Sequence, residues 1–118
     1  MAVSRIDWTA ASGHRIGLQW LARKSMPSAV FVANDLMALG FIRAMHDSAV
    51  RIPDDVSIVG FDDMPGAAHF LPGLTTVRQD LDTLGHQCID ILVAALNQTD
   101  AQFSLVEPTL VVRESAAQ

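Results

Sequence analysis

Helical and strand-like hydrophobic patterns alternate along this chain. Apolar side chains recur with helical spacing in three stretches, at residues 9–24, 35–48 and 80–97. Short, continuous apolar runs lie between and after the first two, and such runs are typical of strands buried on both faces of a sheet. These runs occupy residues 29–33 and 56–61, and residues 75–79 are a third predicted strand. The alternation predicts an α/β domain built on a mostly parallel sheet.

Weaker signals mark the remaining segments. A short helix is expected near residues 65–70, between Pro65 and the break at residues 71–74. Residues 103–113 are rich in β-forming side chains on both sides of Pro108, which predicts further strand structure. The last residues, 114–118, are predicted to be a frayed tail.

Polar pairs follow each of the three predicted strands. In open α/β sheets, ligands bind outside the carboxyl ends of the strands. The pattern therefore predicts a polar binding cleft at that edge, without indicating what binds there. The pairs are Asn34–Asp35, Asp62–Asp63 and Gln79–Asp80.

Composition excludes several classes of function. The 118 residues carry a formal net charge of −5, and the eight basic residues are scattered, so direct nucleic-acid binding by this chain is not expected. A single cysteine, Cys88, suits a reducing compartment. No apolar run approaches the roughly 18 residues of a membrane span, and the first residues lack a signal-peptide pattern. We therefore expect a cytoplasmic protein with no membrane contact.

Catalytic motifs do not occur in the sequence. It contains no nucleophile elbow, no dinucleotide-binding glycine pattern and no phosphate-binding loop. The four histidines show no metal-ligand spacing, and we expect them at the solvated surface; they are His14, His46, His69 and His86. We predict no catalytic residue, no metal and no cofactor. An enzyme holding Mg²⁺ through Asp35, Asp62 and Asp63 is a weaker alternative, because clustered carboxylates can bind that ion.

Four segments resemble the lactose/galactose repressor family, in the family's order and spacing. They are residues 32–40 (VANDLMALG), 51–63 (RIPDDVSIVGFDD), 74–80 (LTTVRQD) and 109–115 (TLVVRES). Each is short, but together they cover most of the chain. The resemblance implies the periplasmic-binding-protein-like I fold, a three-layer α/β architecture with two lobes around a sugar-binding cleft.

A further segment, residues 7–13 (DWTAASG), resembles the lactose-repressor branch of that family. The resemblance implies that Trp8 stacks on the apolar face of a sugar ring. It also implies that Asn34 and Asp62 bind sugar hydroxyls, for which an amide and a carboxylate offer suitable donors and acceptors. Leu81 stands where lactose-type members carry an aromatic residue, which favours another sugar or a sugar alcohol.

Plainer interpretations compete with these roles. Trp8 is alternatively a core aromatic, and Asn34 is alternatively only a helix cap. Capping and ligand contact by Asn34 can also coexist, through its backbone and its side chain respectively. Asp63 is interpreted as a turn or cap residue. Gln79 remains open between a ligand neighbour and a strand-end hydrogen bonder. Asp35 and Asp80 are interpreted as first-turn helix acids, which the helix dipole favours.

The resemblance also implies that the chain is one part of a longer protein. Residues 1–118 correspond to the C-terminal part of the effector-binding domain, with the DNA-binding helix-turn-helix and most of the first lobe absent. Residues 80–103 would then lack their usual packing partner and would promote self-association. A homodimer is expected, with Leu39 and Phe70 at matching interface positions. The expected function is the ligand-sensing and dimerisation part of a sugar-responsive transcription repressor, and the alternative is a fragment of a periplasmic-type sugar-binding protein.

Overall fold

The computed structural model describes residues 7–23 and 25–117. Three α-helices and four strands alternate in the predicted order, with a short 3₁₀ helix, Ala67–His69, before the third strand. The helices are α1 (Ala10–Leu21), α2 (Asp35–Asp47) and α3 (Leu81–Leu96). The strands are β1 (Ala29–Phe31), β2 (Ser57–Asp62), β3 (Thr75–Arg78) and β4 (Thr109–Val111).

The strands form one sheet in the order β1-β2-β3-β4. β1, β2 and β3 are parallel, and β4 runs antiparallel to β3. The predicted α/β class with a mostly parallel sheet is thus confirmed. Because the three parallel strands end at one edge, this arrangement also brings the polar pairs that follow them together.

The core lies between α2 and one face of the sheet. Phe41, Met45 and their helical neighbours pack against Ile58 of β2 and Leu74, which precedes β3. α1 and α2 cross closely at Gly13 and Gly40. A Cβ on either glycine would overlap a main-chain carbonyl oxygen of the other helix, so the close crossing requires glycine at both positions. Burial of this one apolar face is the main stabilising contribution in the described part of the chain.

The prediction that β1 is buried on both faces is wrong. Val30 points into the core, but Phe31 on the opposite face is 64% exposed. β1 is the first strand in the sheet order, and no described helix covers its outer face. Phe31 instead makes an edge-on contact with Phe61 of β2, with ring centroids 6.5 Å apart.

The segment after α3 has less regular structure than predicted. Residues 103–106 form no strand, and the side chains of Phe103 and Leu105 are 76% and 85% exposed. Only Thr109–Val111 pairs with β3, because residues 103–106 have no neighbouring strand to hydrogen-bond with. None of the residues of α3 is buried. The lone thiol of Cys88 is exposed as well.

The predicted frayed tail is also wrong. Ser115 is fully buried, donates its hydroxyl to the Ile58 carbonyl at 2.6 Å and accepts from the Thr75 N–H at 2.8 Å. The Ala117 N–H is bound by the Ser57 hydroxyl at 3.0 Å. The C-terminal segment is therefore held against the beginnings of β2 and β3.

Candidate functional site

The polar residues that follow β1, β2 and β3 meet at one edge of the sheet, as predicted. We call this group the strand-end cluster; it consists of Asn34, Asp35, Asp62, Asp63, Gln79 and Asp80. Direct contacts connect the members of this cluster to neighbouring elements. The Gln79 amide lies 3.5 Å from an Asp62 oxygen, and the Asp35 carboxylate bonds to Met64 after β2 and to Thr76 within β3.

Trp8, just before α1, and Asn34, just before α2, are in contact. The Asn34 Nδ2 donates to the main-chain carbonyl of Trp8 at 3.2 Å. Trp8 has a left-handed backbone (φ 62°), and its side chain is 60% exposed. The core-aromatic interpretation of Trp8 is therefore wrong, and an exposed indole beside the cluster is available for stacking.

Asn34 is the N-cap of α2. Its Oδ1 accepts from the Met37 N–H at 2.7 Å, which satisfies one of the free N–H groups of the first turn. The cap is made by the side chain itself, contrary to the expected division between backbone and side chain. One Nδ2 hydrogen and one Oδ1 lone pair remain for a ligand after the bonds to Trp8 and Met37.

Asp62 ends β2 with its carboxylate largely open. Its backbone is left-handed (φ 111°), and it is exposed; among the described residues, its side chain makes only the long Gln79 contact. Partial burial and, secondly, repulsion from Asp35 raise the pKa of Asp62 above its ordinary value, and the Gln79 hydrogen bond opposes this. A carboxylate with unsatisfied acceptor capacity is suited to binding hydroxyl groups.

Asp63 has a different environment from Asp62. Its two oxygens form ion pairs with Arg78 Nε at 2.6 Å and Arg113 Nη2 at 2.8 Å, and its side chain is 7% exposed. Burial pushes the pKa of Asp63 upward, but the two guanidinium groups outweigh it and hold the pKa below its ordinary value. Asp63 lies in the connection that follows β2, with a left-handed backbone (φ 53°). The role of Arg113 in fixing it was not predicted.

The first-turn interpretation is confirmed for Asp35 and wrong for Asp80. Asp80 is the N-cap of α3, one residue before the first turn, and accepts from the Thr83 N–H at 2.9 Å. Asp35 does lie in the first turn of α2, but it is 1% exposed and bonds to Met64 and Thr76. Both partners are distant in sequence, so no local pattern indicated this burial.

An open hollow of about 430 Å³ lies beside the cluster, and Asp62 and Gln79 contribute to its wall. Leu81, at the start of α3, also lines this hollow with a side chain that is 63% exposed. A second, more apolar hollow of about 300 Å³ lies between α3 and residues 103–108. The first has the mixed polar lining that binding of a hydroxylated ligand requires.

Asp35, Asp62 and Asp63 do not converge as metal ligands. Asp63 is occupied by two arginines, and Asp35 by a hydroxyl and a main-chain N–H. Within residues 7–23 and 25–117, no group of three or more potential ligands is placed to hold a metal ion. In the same residues, no helix combines the length and apolar character that crossing a membrane requires.

Comparisons with known proteins give a consistent set of relatives. A family model described as a periplasmic binding protein-like domain matches residues 2–116. The HTH-type transcriptional repressor PurR of Proteus mirabilis is 40% identical over 113 residues, which cover 94% of this chain and 33% of the relative. The lactose operon repressor of Escherichia coli K12 is 42% identical over 87 residues, which cover 74% of this chain and 24% of the relative.

Solved structures agree with this relationship. The lac repressor dimer bound to operator and the anti-inducer ONPF matches with a TM-score of 0.88 and 36% identity, over 95% of this chain and 40% of that one. A LacI family transcriptional regulator from Lactobacillus casei with bound sucrose matches with a TM-score of 0.82 and 31% identity, over 92% and 41% of the two chains. The chain spans about a third of the length of the PurR relatives that it matches.

Proposed function

Because the chain belongs to the periplasmic binding protein-like domain family and is homologous to the PurR and lactose operon repressors, we propose that it is the ligand-sensing and dimerisation part of a sugar-responsive transcription repressor. On this proposal residues 1–118 are the C-terminal part of the effector-binding domain. DNA is bound through a helix-turn-helix outside this chain, and the protein acts in the cytoplasm. The matched relatives are repressors, which favours this function over a periplasmic sugar-binding protein and over an enzyme.

We propose a sugar as the ligand because of the geometry around the strand-end cluster. The exposed indole of Trp8 offers a flat apolar surface for a pyranose, since sugar C–H faces stack on aromatic rings. Asn34, held 3.2 Å from the Trp8 carbonyl, supplies a donor and an acceptor beside that surface. Asp62 supplies a carboxylate whose acceptor capacity the fold leaves largely unused. That open carboxylate carries most weight, because Asp35 is hydrogen-bonded within the fold and Asp63 is paired with two arginines.

Ligand binding would regulate transcription by shifting a conformational equilibrium. A sugar that binds one arrangement of the complete protein more tightly changes the fraction that is competent to bind DNA. The residues proposed here lie in the turns after β1 and β2 and at the beginning of α1, so a bound sugar would connect three elements of this part of the chain.

We propose a homodimer that uses the outer surface of α1 and α2. Leu39 is 38% exposed there and borders a shallow groove with Ala11, His14 and Arg43. Phe70 is half-buried and packs against the core, so it would contribute only its remaining exposed edge. The face offers an apolar centre with polar residues around it, as protein–protein interfaces do.

Tryptophan fluorescence during titration with galactosides, glucosides and sugar alcohols tests the ligand proposal. The chain and its Trp8→Phe and Trp20→Phe variants would be compared. Trp20 is a suitable control because it is half-buried, with its ring 5.8 Å from Phe41 and Arg23 stacked at 5.4 Å. We expect a saturable change that survives Trp20→Phe and disappears in Trp8→Phe. A change that persists in Trp8→Phe, or no saturable change with any sugar, would contradict the proposal for this chain.

A further inference from the structure

The carboxylate of Asp35 is buried next to the proposed ligand site but is not available to a ligand. It is 1% exposed, Oδ2 accepts from the Met64 N–H at 2.8 Å, and Oδ1 accepts from the Thr76 hydroxyl at 2.5 Å. Met64 follows Asp62 and Asp63 in the turn after β2, and Thr76 lies in the neighbouring strand. One side chain at the start of α2 therefore connects that helix to the segment after β2 and to the interior of β3.

Gly60 leaves the space that this carboxylate occupies. A Cβ on Gly60 would overlap the Asp35 Oδ1 and the Leu74 side chain. Because Gly60 lies on β2 in register with Thr76 of β3, the missing side chain lets Asp35 reach across the sheet. The buried contact is thus built from residues of α2, β2 and β3 together.

The turn that Asp35 touches has an unfavourable backbone. Asp62 and Asp63 are consecutive residues with φ 111° and φ 53°, in a region that side chains other than glycine disfavour. Such a conformation persists only when its surroundings hold it. The Met64 N–H on Asp35 fixes one end of the turn, and the ion pairs of Asp63 with Arg78 and Arg113 fix its middle.

We infer that Asp35 is a positioning residue that holds the turn of residues 62–64 in the shape that presents the Asp62 carboxylate to the ligand. This inference rests on the proposed function. The oxygens of Asp35 and Asp63 bind other groups of the protein. Among the described residues, the Asp62 carboxylate makes only the 3.5 Å contact with Gln79. Loss of the Asp35 contact would free the turn to relax, and Asp62 would lose the orientation that binding needs.

Amide hydrogen exchange tests the positioning role without any ligand. In Asp35→Ala, and separately in Thr76→Val, we expect the Met64 N–H to exchange about tenfold faster than in the original chain, because its acceptor is lost or displaced. The Ile58 N–H, bonded to the Ser115 carbonyl at 2.7 Å, reports on general opening and should keep its rate. Thr76→Ser retains the hydroxyl and should restore slow exchange. Equal acceleration of both amides, or none at Met64, would overturn the inference.

A double-mutant cycle with glucose and sucrose tests the connection to binding. We expect Thr76→Val to weaken binding about tenfold in the original chain and to add little in an Asp62→Asn background, because the two changes act through one carboxylate. A purely structural role would weaken binding equally in both backgrounds and would overturn the connection. If the original chain binds neither sugar, the proposed function fails for these ligands, while the Met64 exchange rate still decides the role of Asp35.

Discussion

At the scale of single residues, three aspartates close together in space differ in what their oxygens do. The Asp35 carboxylate is buried and accepts from a hydroxyl and a main-chain N–H, and Asp63 forms ion pairs with two arginines. The Asp62 carboxylate is exposed, with a long contact to Gln79. Their sequence contexts, Asn34–Asp35 and Asp62–Asp63, look alike. The differences come from partners far along the chain, so the assignment of Asp62 as the ligand carboxylate depends on the fold as much as on residue type.

Sequence patterns predicted which residues end the strands but not how their side chains are satisfied. Asp35 bonds to residues 29 and 41 positions away, and Ser115 bonds to a carbonyl 57 positions away. Local propensity contains no information about such pairs. Capping, which involves neighbours three residues apart, was open to prediction, and Asn34 does cap α2.

Replacing Asp62 with Asn should weaken sugar binding about tenfold or more, because a hydrogen bond to a charged acceptor is lost. In the original chain, affinity should decline as the pH falls, beginning above the ordinary Asp value of 3.8, since burial and Asp35 raise the pKa of Asp62. Calorimetric titration over a pH series measures both effects. Asp82→Asn is the matched control, because Asp82 lines the same hollow but has no proposed ligand contact. Equal losses in the two variants would refute the assignment.

At the scale of elements, hydrophobic periodicity predicted the helices and the parallel strands to within a few residues. It failed where the structure of a segment depends on a neighbouring element. Residues 103–106 have β-rich sequence but no strand to pair with. β1 has an apolar outer face, but no described helix covers it. A period identifies the side of an element that is able to pack. It does not show whether a partner is present.

The crossing of α1 and α2 depends on glycine rather than on side-chain interdigitation. A methyl group on Gly40 would overlap the Ala10 carbonyl oxygen, so Gly40→Ala should push the helices apart and reduce the free energy of unfolding by about 2 kcal/mol or more. Gly85→Ala in α3 is a matched control, since nothing lies within 4 Å of its added Cβ and alanine favours helix. Urea unfolding of the three proteins measures the difference. A Gly40→Ala variant as stable as Gly85→Ala would rule out this close crossing.

At the scale of the whole molecule, the chain is extended for its size. Its radius of gyration is 18.1 Å, against roughly 13.5 Å for a compact domain of this length. α3 projects without a buried residue and leaves Leu92 and Leu96 54% and 76% exposed. The periodicity of α3 by itself predicted an ordinary buried face, which this helix does not have among the described residues, whereas the resemblance predicted an unpacked helix.

The exposed apolar surface of α3 favours self-association. The proposed dimer face on α1 and α2 is a different surface, so mutations there test it separately. Leu39→Asp should place a charge at the centre of that face and shift the dimer towards monomer by tenfold or more in dissociation constant. Leu36→Asp is the matched control, because Leu36 lies on the same helix, is 39% exposed and lies outside the groove. Analytical ultracentrifugation measures both. If the two variants dissociate equally, or neither does, the interface lies elsewhere.

We propose that a sugar binds at the carboxyl ends of β1 and β2, where Asn34 and Asp62 lie, with Trp8 in contact with Asn34. Side-chain N–H resonances in a ¹H–¹⁵N NMR titration with glucose, sucrose and a galactoside test it most directly. We predict saturable shifts of the Trp8 indole and the Asn34 amide, with the Trp20 indole unchanged. Saturable shifts confined to Trp20 or to residues of α3, with Trp8 and Asn34 unmoved, would contradict the account.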